Sequence, residues 1–337
     1  INNAGYRCYL EAESKTGNAE IQYMYADALY YGLFGFQEDE ELASKWMSKS
    51  ADHGNLEAMH RLHYWYYMGF CGLEEDEPKA LELLKAAAKG GYGRAQLDLA
   101  EWYKEGTVVS QDSKKAFKLY KLASDSGSNE ATIELAICYS DGIGVKQNEN
   151  TAFNLVDSAA KEGSTRGKRL LGLYYSHGIG TKENKDKALE LWRSAAEDDD
   201  AYSIYLIGKC YWLGDGVEKD RTVAHEWLKR AVELEDHGSD QARFLLGLCQ
   251  YFGSGCDEDE EAAYVNFLDA VDAGIDQANY YVGVCNYKGH GTPRDYIKAA
   301  DHFEACAEID ADAAFYLGEC HRNGTGRKKD AKQAFEW

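Results

Sequence analysis

Residues 134–146 are ELAICYSDGIGVK, and residues 170–182 are LLGLYYSHGIGTK. The two stretches share one order of apolar, aromatic and glycine residues, and their first glycines lie 36 residues apart. That glycine recurs along the whole chain, and an alanine follows it by ten or eleven residues each time. The recurring glycines are Gly32, Gly69, Gly106, Gly142, Gly178, Gly214, Gly253, Gly289 and Gly324. Self-similarity at a fixed period indicates a repeat array, and we expect about nine repeats of ~36 residues.

Each repeat contains two stretches with helical periodicity. In 130–142 (EATIELAICYSDG), apolar residues share one helical face, and Gly142 ends the helix because glycine adopts the left-handed conformation at little cost. In 150–163 (NTAFNLVDSAAKEG), a second apolar stripe ends at Gly163. One such pair cannot bury both stripes alone, so neighbouring pairs must stack. The pattern predicts an all-α fold of stacked antiparallel helix pairs.

The repeat resembles a known family. Residues 169–199 (RLLGLYYSHGIGTKENKDKALELWRSAAEDD) are similar to the Sel-one-like repeat, a relative of the tetratricopeptide repeat. The matching residues are Leu171, Gly172, Tyr175, Gly178, Gly180, Lys187, Ala188, Trp192, Ala195 and Ala196. The resemblance implies a right-handed α-solenoid superhelix and a scaffold or adaptor role in protein complexes. The first two repeats lack the Gly-x-Gly of the family, so we expect their turns to differ in shape.

The period predicts where the repeats begin and end. Residues 1–17 are interpreted as the second helix of a preceding repeat, and 18–337 as the array. The predicted units are 18–54, 55–91, 92–127, 128–163, 164–199, 200–238, 239–274, 275–310 and a truncated 311–337. Because the chain starts and stops inside repeats, we expect that it is a fragment, and that targeting segments lie elsewhere.

The charge of the chain limits the classes of partner that it is expected to bind. The formal net charge of −21 repels phosphate backbones and anionic membrane surfaces, so we expect no nucleic-acid partner and no membrane insertion. The nine cysteines do not form the regular pairs that staple a secreted branch of the family. Their arrangement favours a reducing compartment, which we interpret as the cytoplasm. The sequence leaves the oligomeric state open.

No pattern predicts an enzyme, a cofactor or a metal site. Five cysteines share one column, four residues before the helix-ending glycine, and we expect them to be packed between helices: Cys138, Cys210, Cys249, Cys285 and Cys320. His60 and His63 lie three residues apart, but the sequence around them offers no cluster of further ligands. The Gly-x-Gly turns join helices and follow no strand, so they are not phosphate loops.

The side of the first helices opposite the core stripe is rich in aromatic residues. In a solenoid this side lines the concave surface, and we predict that it forms a groove for a protein or peptide ligand. The predicted binding residues are Tyr23, Tyr30, Tyr64, Tyr67, Arg166, Arg169, Tyr202, Tyr205, Trp212, Phe244, Tyr251, Phe252, Tyr280 and Tyr287. The two arginines are positioned to pair with an acidic ligand group. The alternative for each aromatic is lateral packing between neighbouring first helices.

These observations favour a non-enzymatic scaffold or adaptor that binds a protein segment in its groove. Two other functions remain open. One is an inhibitory or neutralising protein that binds an enzyme or toxin, since it too needs only a binding face. The other is a purely structural array whose partner binds elsewhere.

Overall fold

The computed structural model describes residues 3–236 and 238–337 of the chain. Across these residues the regular elements are nineteen α-helices and two short 3₁₀ helices, Ser14–Thr16 and Leu33–Gly35, with no strand. The all-α fold class is therefore confirmed. Ile1, Asn2 and His237, which belong to the predicted segments 1–17 and 200–238, lie outside the described residues.

Helix α1 (Asn3–Glu13) precedes nine helix pairs. The first helices of the pairs are α2 (Ala19–Tyr30), α4 (Leu56–Met68), α6 (Gly93–Glu105), α8 (Asn129–Asp141), α10 (Thr165–His177), α12 (Ala201–Leu213), α14 (Ser239–Tyr251), α16 (Gln277–Lys288) and α18 (Ala311–Asn323). The second helices are α3 (Glu40–Asp52), α5 (Glu77–Lys89), α7 (Ser113–Asp125), α9 (Glu149–Lys161), α11 (Lys185–Ala196), α13 (Arg221–Glu233), α15 (Glu260–Asp272), α17 (Tyr296–Cys306) and α19 (Ala331–Glu336). Within the described residues, none is long and apolar enough to cross a membrane.

The helices form two compact units, residues 1–164 with α1–α9 and residues 165–337 with α10–α19. In each unit the two helices of a pair pack together, and each second helix also packs against the first helix of the next pair. This stacking buries the two apolar stripes that a single pair leaves exposed. In the second unit, α12 also contacts α14 and α16 contacts α18, so first helices touch laterally there.

A side-chain cap fixes the start of every second helix. The capping residues are Asp39, Asp76, Asp112, Asn148, Asn184, Asp220, Asp259, Asp295 and Asp330. Each carboxylate or amide oxygen accepts a hydrogen bond from a backbone N–H two or three residues later, which satisfies an otherwise unpaired donor. Such a cap stabilises a helix by about 1 kcal/mol.

The turns between paired helices depend on left-handed residues. All nine recurring glycines have positive φ, between 59° and 80°. In six repeats the second glycine of Gly-x-Gly is left-handed as well. In the first two repeats, Phe34 (φ 57°) and Cys71 (φ 58°) stand at that place instead, and the cap comes one residue later. The different turns expected for these repeats are confirmed.

Candidate protein-binding surface

One position at the C-terminal end of the first helix is exposed in all nine repeats: the residue just before the recurring glycine. Five repeats place a polar side chain there, namely Glu105, Asp141, His177, Lys288 and Asn323. The other four place a large apolar side chain there, and its exposed fraction is 41% to 57%: Tyr31, Met68, Leu213 and Phe252. Because each of these four side chains is at least 41% exposed, packing within the chain accounts for only part of the apolar choices. At this position the large apolar side chains therefore fall in repeats 1 and 2 of the first unit and in repeats 6 and 7 of the second.

In the first unit the predicted tyrosines have different environments. Tyr23 is buried, whereas Tyr64 is 48% exposed and its ring meets that of Phe70 edge-on at 5.8 Å. Tyr30 is half-buried, with its ring 5.3 Å from that of Trp65. Tyr67 packs against Trp102 of the next repeat at 5.4 Å, which is the lateral packing considered as the alternative. Of these four tyrosines, Tyr64 is the most exposed.

In the second unit a cleft brings three predicted residues together. Its volume is about 430 Å³, and it is lined by Tyr205, Lys209, Trp212, Leu213, Gln241, Phe244, Leu245, Ile275 and Gln277. These residues come from α12, α14, the first residue of α16 and the loop before it, so the cleft crosses neighbouring first helices. Sequence reasoning identified Tyr205, Trp212 and Phe244 but missed the aliphatic members. Leu213 directly precedes the recurring glycine Gly214, so a comparison of that position across the repeats would have identified it.

The chemistry of the cleft is apolar with a cationic edge. Leu213 is more than half exposed, whereas Tyr205 presents only 8% of its surface. The Lys209 ammonium is exposed and lies 5.9 Å from the centre of the Tyr205 ring. The Arg221 guanidinium stacks on Trp212 at 3.2 Å and holds the indole in place. An apolar wall beside a cation is suited to an apolar side chain with a nearby acidic group.

The other predicted residues of the second unit are already engaged. Arg169 forms an ion pair with Asp200 at 2.7 Å and lies over the Tyr202 ring at 5.5 Å. A ligand carboxylate at Arg169 would therefore compete with Asp200. Arg166 is half-buried on the same helix and also has an interaction within the chain.

Three predicted tyrosines belong mainly to the aromatic packing of repeats 7 to 9. The Tyr251 hydroxyl hydrogen-bonds with His290 Nδ1 at 2.8 Å. Tyr280 and Tyr287 both pack against Tyr316, with ring centroids 6.3 and 5.5 Å apart. Burial raises the pKa of Tyr251 and of Tyr280 to about 12. Phe252, in contrast, extends into solvent beside Tyr251.

The repeated cysteines are buried. All five are free thiols packed between helices, as predicted. Burial raises the pKa of Cys138 and Cys210 to about 11, and that of Cys249 and Cys285 to about 12. A thiolate nucleophile is therefore disfavoured at neutral pH.

The structure adds a third polar residue to the two histidines of α4. Asp98 of α6 places Oδ2 2.7 Å from His60 Nε2 and 3.9 Å from His63 Nε2. His63 is buried, and its desolvation, followed by the nearby His60, lowers its pKa to about 4. Sequence analysis did not find Asp98 because it belongs to the next repeat. Among the described residues, these three side chains can hold a metal ion.

Comparison with known proteins identifies the repeat. The Sel1 repeat family model matches nine times, at residues 19–55, 56–92, 93–128, 129–164, 166–200, 201–236, 240–274, 276–308 and 311–337. The search of curated proteins found no match.

Solved structures share the fold. A protective antigen with an SLR fold, present in uropathogenic Escherichia coli strains, is 24% identical, with a TM-score of 0.69 over 100% of this chain and 78% of that one. A Sel1 repeat protein from Oxalobacter formigenes is also 24% identical, with a TM-score of 0.66 over 93% of this chain and 90% of that one. The human IFIT1 dimer with m7Gppp-AAAA is 17% identical, with a TM-score of 0.50 over 94% of this chain and 70% of that one.

Proposed function

Because the chain belongs to the Sel1 repeat family, we propose that it is a non-enzymatic adaptor that binds a segment of another protein on the exposed side of its first helices. The observation that carries the proposal is the position before the recurring glycine. It faces solvent in all nine repeats, yet it is apolar in four of them. Clustered exposed apolar side chains on a protein this acidic favour an interaction surface.

The cleft of the second unit is the main binding point of this proposal. Its volume of about 430 Å³ lies within the range of ligand pockets, and Trp212 and Phe244 are anchors of the kind that dominate interfaces. Arg221 fixes Trp212 in advance, so less side-chain freedom is lost on binding. The ligand class is a peptide with a large apolar side chain for the cleft and an Asp or Glu beside Lys209.

We expect substitution of Leu213 by Asp to weaken peptide binding at least about tenfold, because it places a charge on the apolar wall of the cleft. The ligands come from a random peptide library displayed on phage and selected on the immobilised full chain. Affinities of the selected peptides for wild type and variant are measured by fluorescence anisotropy.

The matched control is His177→Asp, which adds the same charge at the same repeat position outside the cleft. This control should bind the peptides within about twofold of wild type. A second test, Lys209→Glu, should weaken only the peptides that carry an acidic residue. A selection without specific peptides, or peptides that bind Leu213→Asp as well as wild type, would contradict the proposed function.

A further inference from the structure

We propose that His60, His63 and Asp98 form a binding site for a divalent transition-metal ion, with Zn²⁺ as the expected occupant. The ion would join α4 of the second repeat to α6 of the third, within the first unit. One donor atom from each side chain lies within 4.8 Å of the others. The site is independent of peptide binding at the cleft of the second unit.

His63 differs in side-chain size from the residues at the same position of the other repeats. Its column lies six residues before the recurring glycine, and the other eight repeats place only alanine or glycine there: Ala26, Ala100, Ala136, Gly172, Gly208, Gly247, Gly283 and Gly318. Small residues at this column let the second helix pack closely; a Cβ on Gly283, for example, would lie 2.5 Å from the ring of Phe303. The second repeat instead buries an imidazole there, at 4% exposure. Such a local break in a consistent pattern is typical of a functional position.

The hydrogen bonding of His63 prepares its other nitrogen to bind a cation. Nδ1 contacts the backbone oxygen of His60. Because a carbonyl oxygen only accepts, Nδ1 carries the proton, and the neutral ring has its lone pair on Nε2. Nε2 lies 3.9 Å from Asp98 Oδ2, which is beyond hydrogen-bond length. Histidine ligands of metals almost always donate their second N–H in this way.

The donor set and spacing select the type of ion. In a tetrahedral Zn²⁺ site the ligand atoms lie roughly 3.3 Å apart, and the distances from Asp98 Oδ2 to the two Nε2 atoms, 2.7 and 3.9 Å, bracket that value. The shorter contact is a hydrogen bond that His60 Nε2–H donates to the carboxylate, so the ion would replace that proton when it binds. Two imidazoles and one carboxylate suit zinc and similar ions, whereas Ca²⁺ and Mg²⁺ require oxygen ligands. His60 and Asp98 remain partly exposed, so water can enter and complete the coordination.

The rings around the site limit ligand motion. The Tyr92 ring lies 5.1 Å from that of His60, and the Trp102 ring lies 5.8 Å from that of His63. These contacts restrict the rotation of both imidazoles, which reduces the reorganisation needed for binding.

The test titrates the full chain, carrying Cys8→Ser to remove the exposed thiol, with Co²⁺ and then with Zn²⁺. Visible absorption reports the cobalt ligands, and calorimetry reports zinc affinity and stoichiometry. We expect one equivalent of each ion, a cobalt spectrum without thiolate charge-transfer bands, and a Zn²⁺-dependent rise in melting temperature.

The decisive variant is His63→Ala, because it restores the side chain that Ala26, Ala100 and Ala136 place in the same column and should therefore fold. His63→Ala and Asp98→Asn should each weaken zinc binding at least about tenfold and abolish the rise in melting temperature. His177→Ala, which removes an exposed imidazole elsewhere, is the matched control and should bind as wild type does.

Three results would overturn the metal site: no one-to-one binding, equal binding by wild type and Asp98→Asn, or a cobalt spectrum dominated by thiolate bands. Should His63→Ala not fold, His60→Gln replaces it, since His60 is only partly buried. None of these outcomes depends on whether the chain binds peptides.

Discussion

At the scale of single residues, Glu101 on α6 shows how burial among like charges affects stability. Burial first, and then the nearby carboxylates of Asp98 and Glu134, raise the pKa of Glu101 to about 6. In the unfolded chain its pKa is close to 4.5, the ordinary value for a glutamate side chain. The folded state therefore binds this proton more tightly, and the contribution of Glu101 to stability falls as the pH rises from about 4.5 through about 6.

We expect Glu101→Gln to increase the free energy of unfolding at pH 7.5 by about 1–2 kcal/mol, because it removes the cost of a partly buried charge. The difference from wild type should shrink toward zero near pH 4.5, where the carboxyl is protonated in the folded state. Urea denaturation of both proteins at several pH values measures this difference in the free energy of unfolding. Glu82→Gln, at an exposed site on α5, should change stability by less than about 0.5 kcal/mol at any of these pH values. A gain that does not vary with pH would count against this explanation.

Residue type alone did not predict which of the aromatic side chains are exposed. Tyr23 and Tyr64 were both predicted as binding residues, yet Tyr23 is buried and Tyr64 is about half exposed. Helical periodicity gives the direction of a side chain from its own helix. It does not give how closely the neighbouring first helix approaches, and that distance decides exposure.

At the scale of elements, the Gly-x-Gly turn also packs the repeats together. Gly144 is left-handed at φ 71°, and a Cβ there would lie 2.0 Å from the backbone oxygen of Ser113, at the start of α7. The turn after one first helix thus contacts the second helix of the preceding repeat. Gly255 and Gly291 make the equivalent approach to Arg221 and Glu260.

We expect Gly144→Ala to lower the free energy of unfolding by about 3 kcal/mol or more, since it combines backbone strain with a clash against rigid main chain. Gly127→Ala is the matched control, because Gly127 has a φ of 89° but open space around its Cβ position. The free energy of unfolding of that variant should fall by only about 1–2 kcal/mol. Chemical denaturation of both variants gives the comparison, and equal losses would mean that the close approach contributes nothing.

The elements themselves follow from local sequence. An Asp or Asn cap, a helix-ending glycine and an apolar stripe recur in every repeat, and each acts within one or two turns of helix. Sequence periodicity therefore predicted the helix pairs and the altered turns at Phe34 and Cys71. It could not predict which turn backbone meets which helix start, because that contact joins different repeats.

At the scale of the whole molecule, the net charge of −21 defines the field that a partner meets. Acidic residues occur throughout the array, while the cleft of the second unit has Lys209 at its edge and Arg221 stacked on Trp212. A partner with an acidic group would be repelled by most of the surface and attracted at this place, which favours a single docking position.

We expect no binding of single-stranded RNA, because a strongly negative protein cannot release counterions from a phosphate backbone. Fluorescence anisotropy with a labelled oligonucleotide of about 20 nucleotides, at 50 and 150 mM salt, should give no saturable signal up to about 100 µM protein. Saturable binding that weakens steeply with salt would show that a local basic surface overrides the net charge.

The sequence by itself determined the repeat, the all-α fold, the helix ends and the buried cysteine column, because each depends on contacts within one repeat or with an identical neighbour. Only the tertiary structure decided that Tyr67 packs on Trp102, that Arg169 pairs with Asp200, and that Leu213, Phe244 and Ile275 line one cleft. It likewise brought Asp98 to His60 and His63. These contacts join side chains that are about one repeat or more apart in the chain. Their distances depend on how closely particular helices pack, and the repeat period of a sequence does not contain that information.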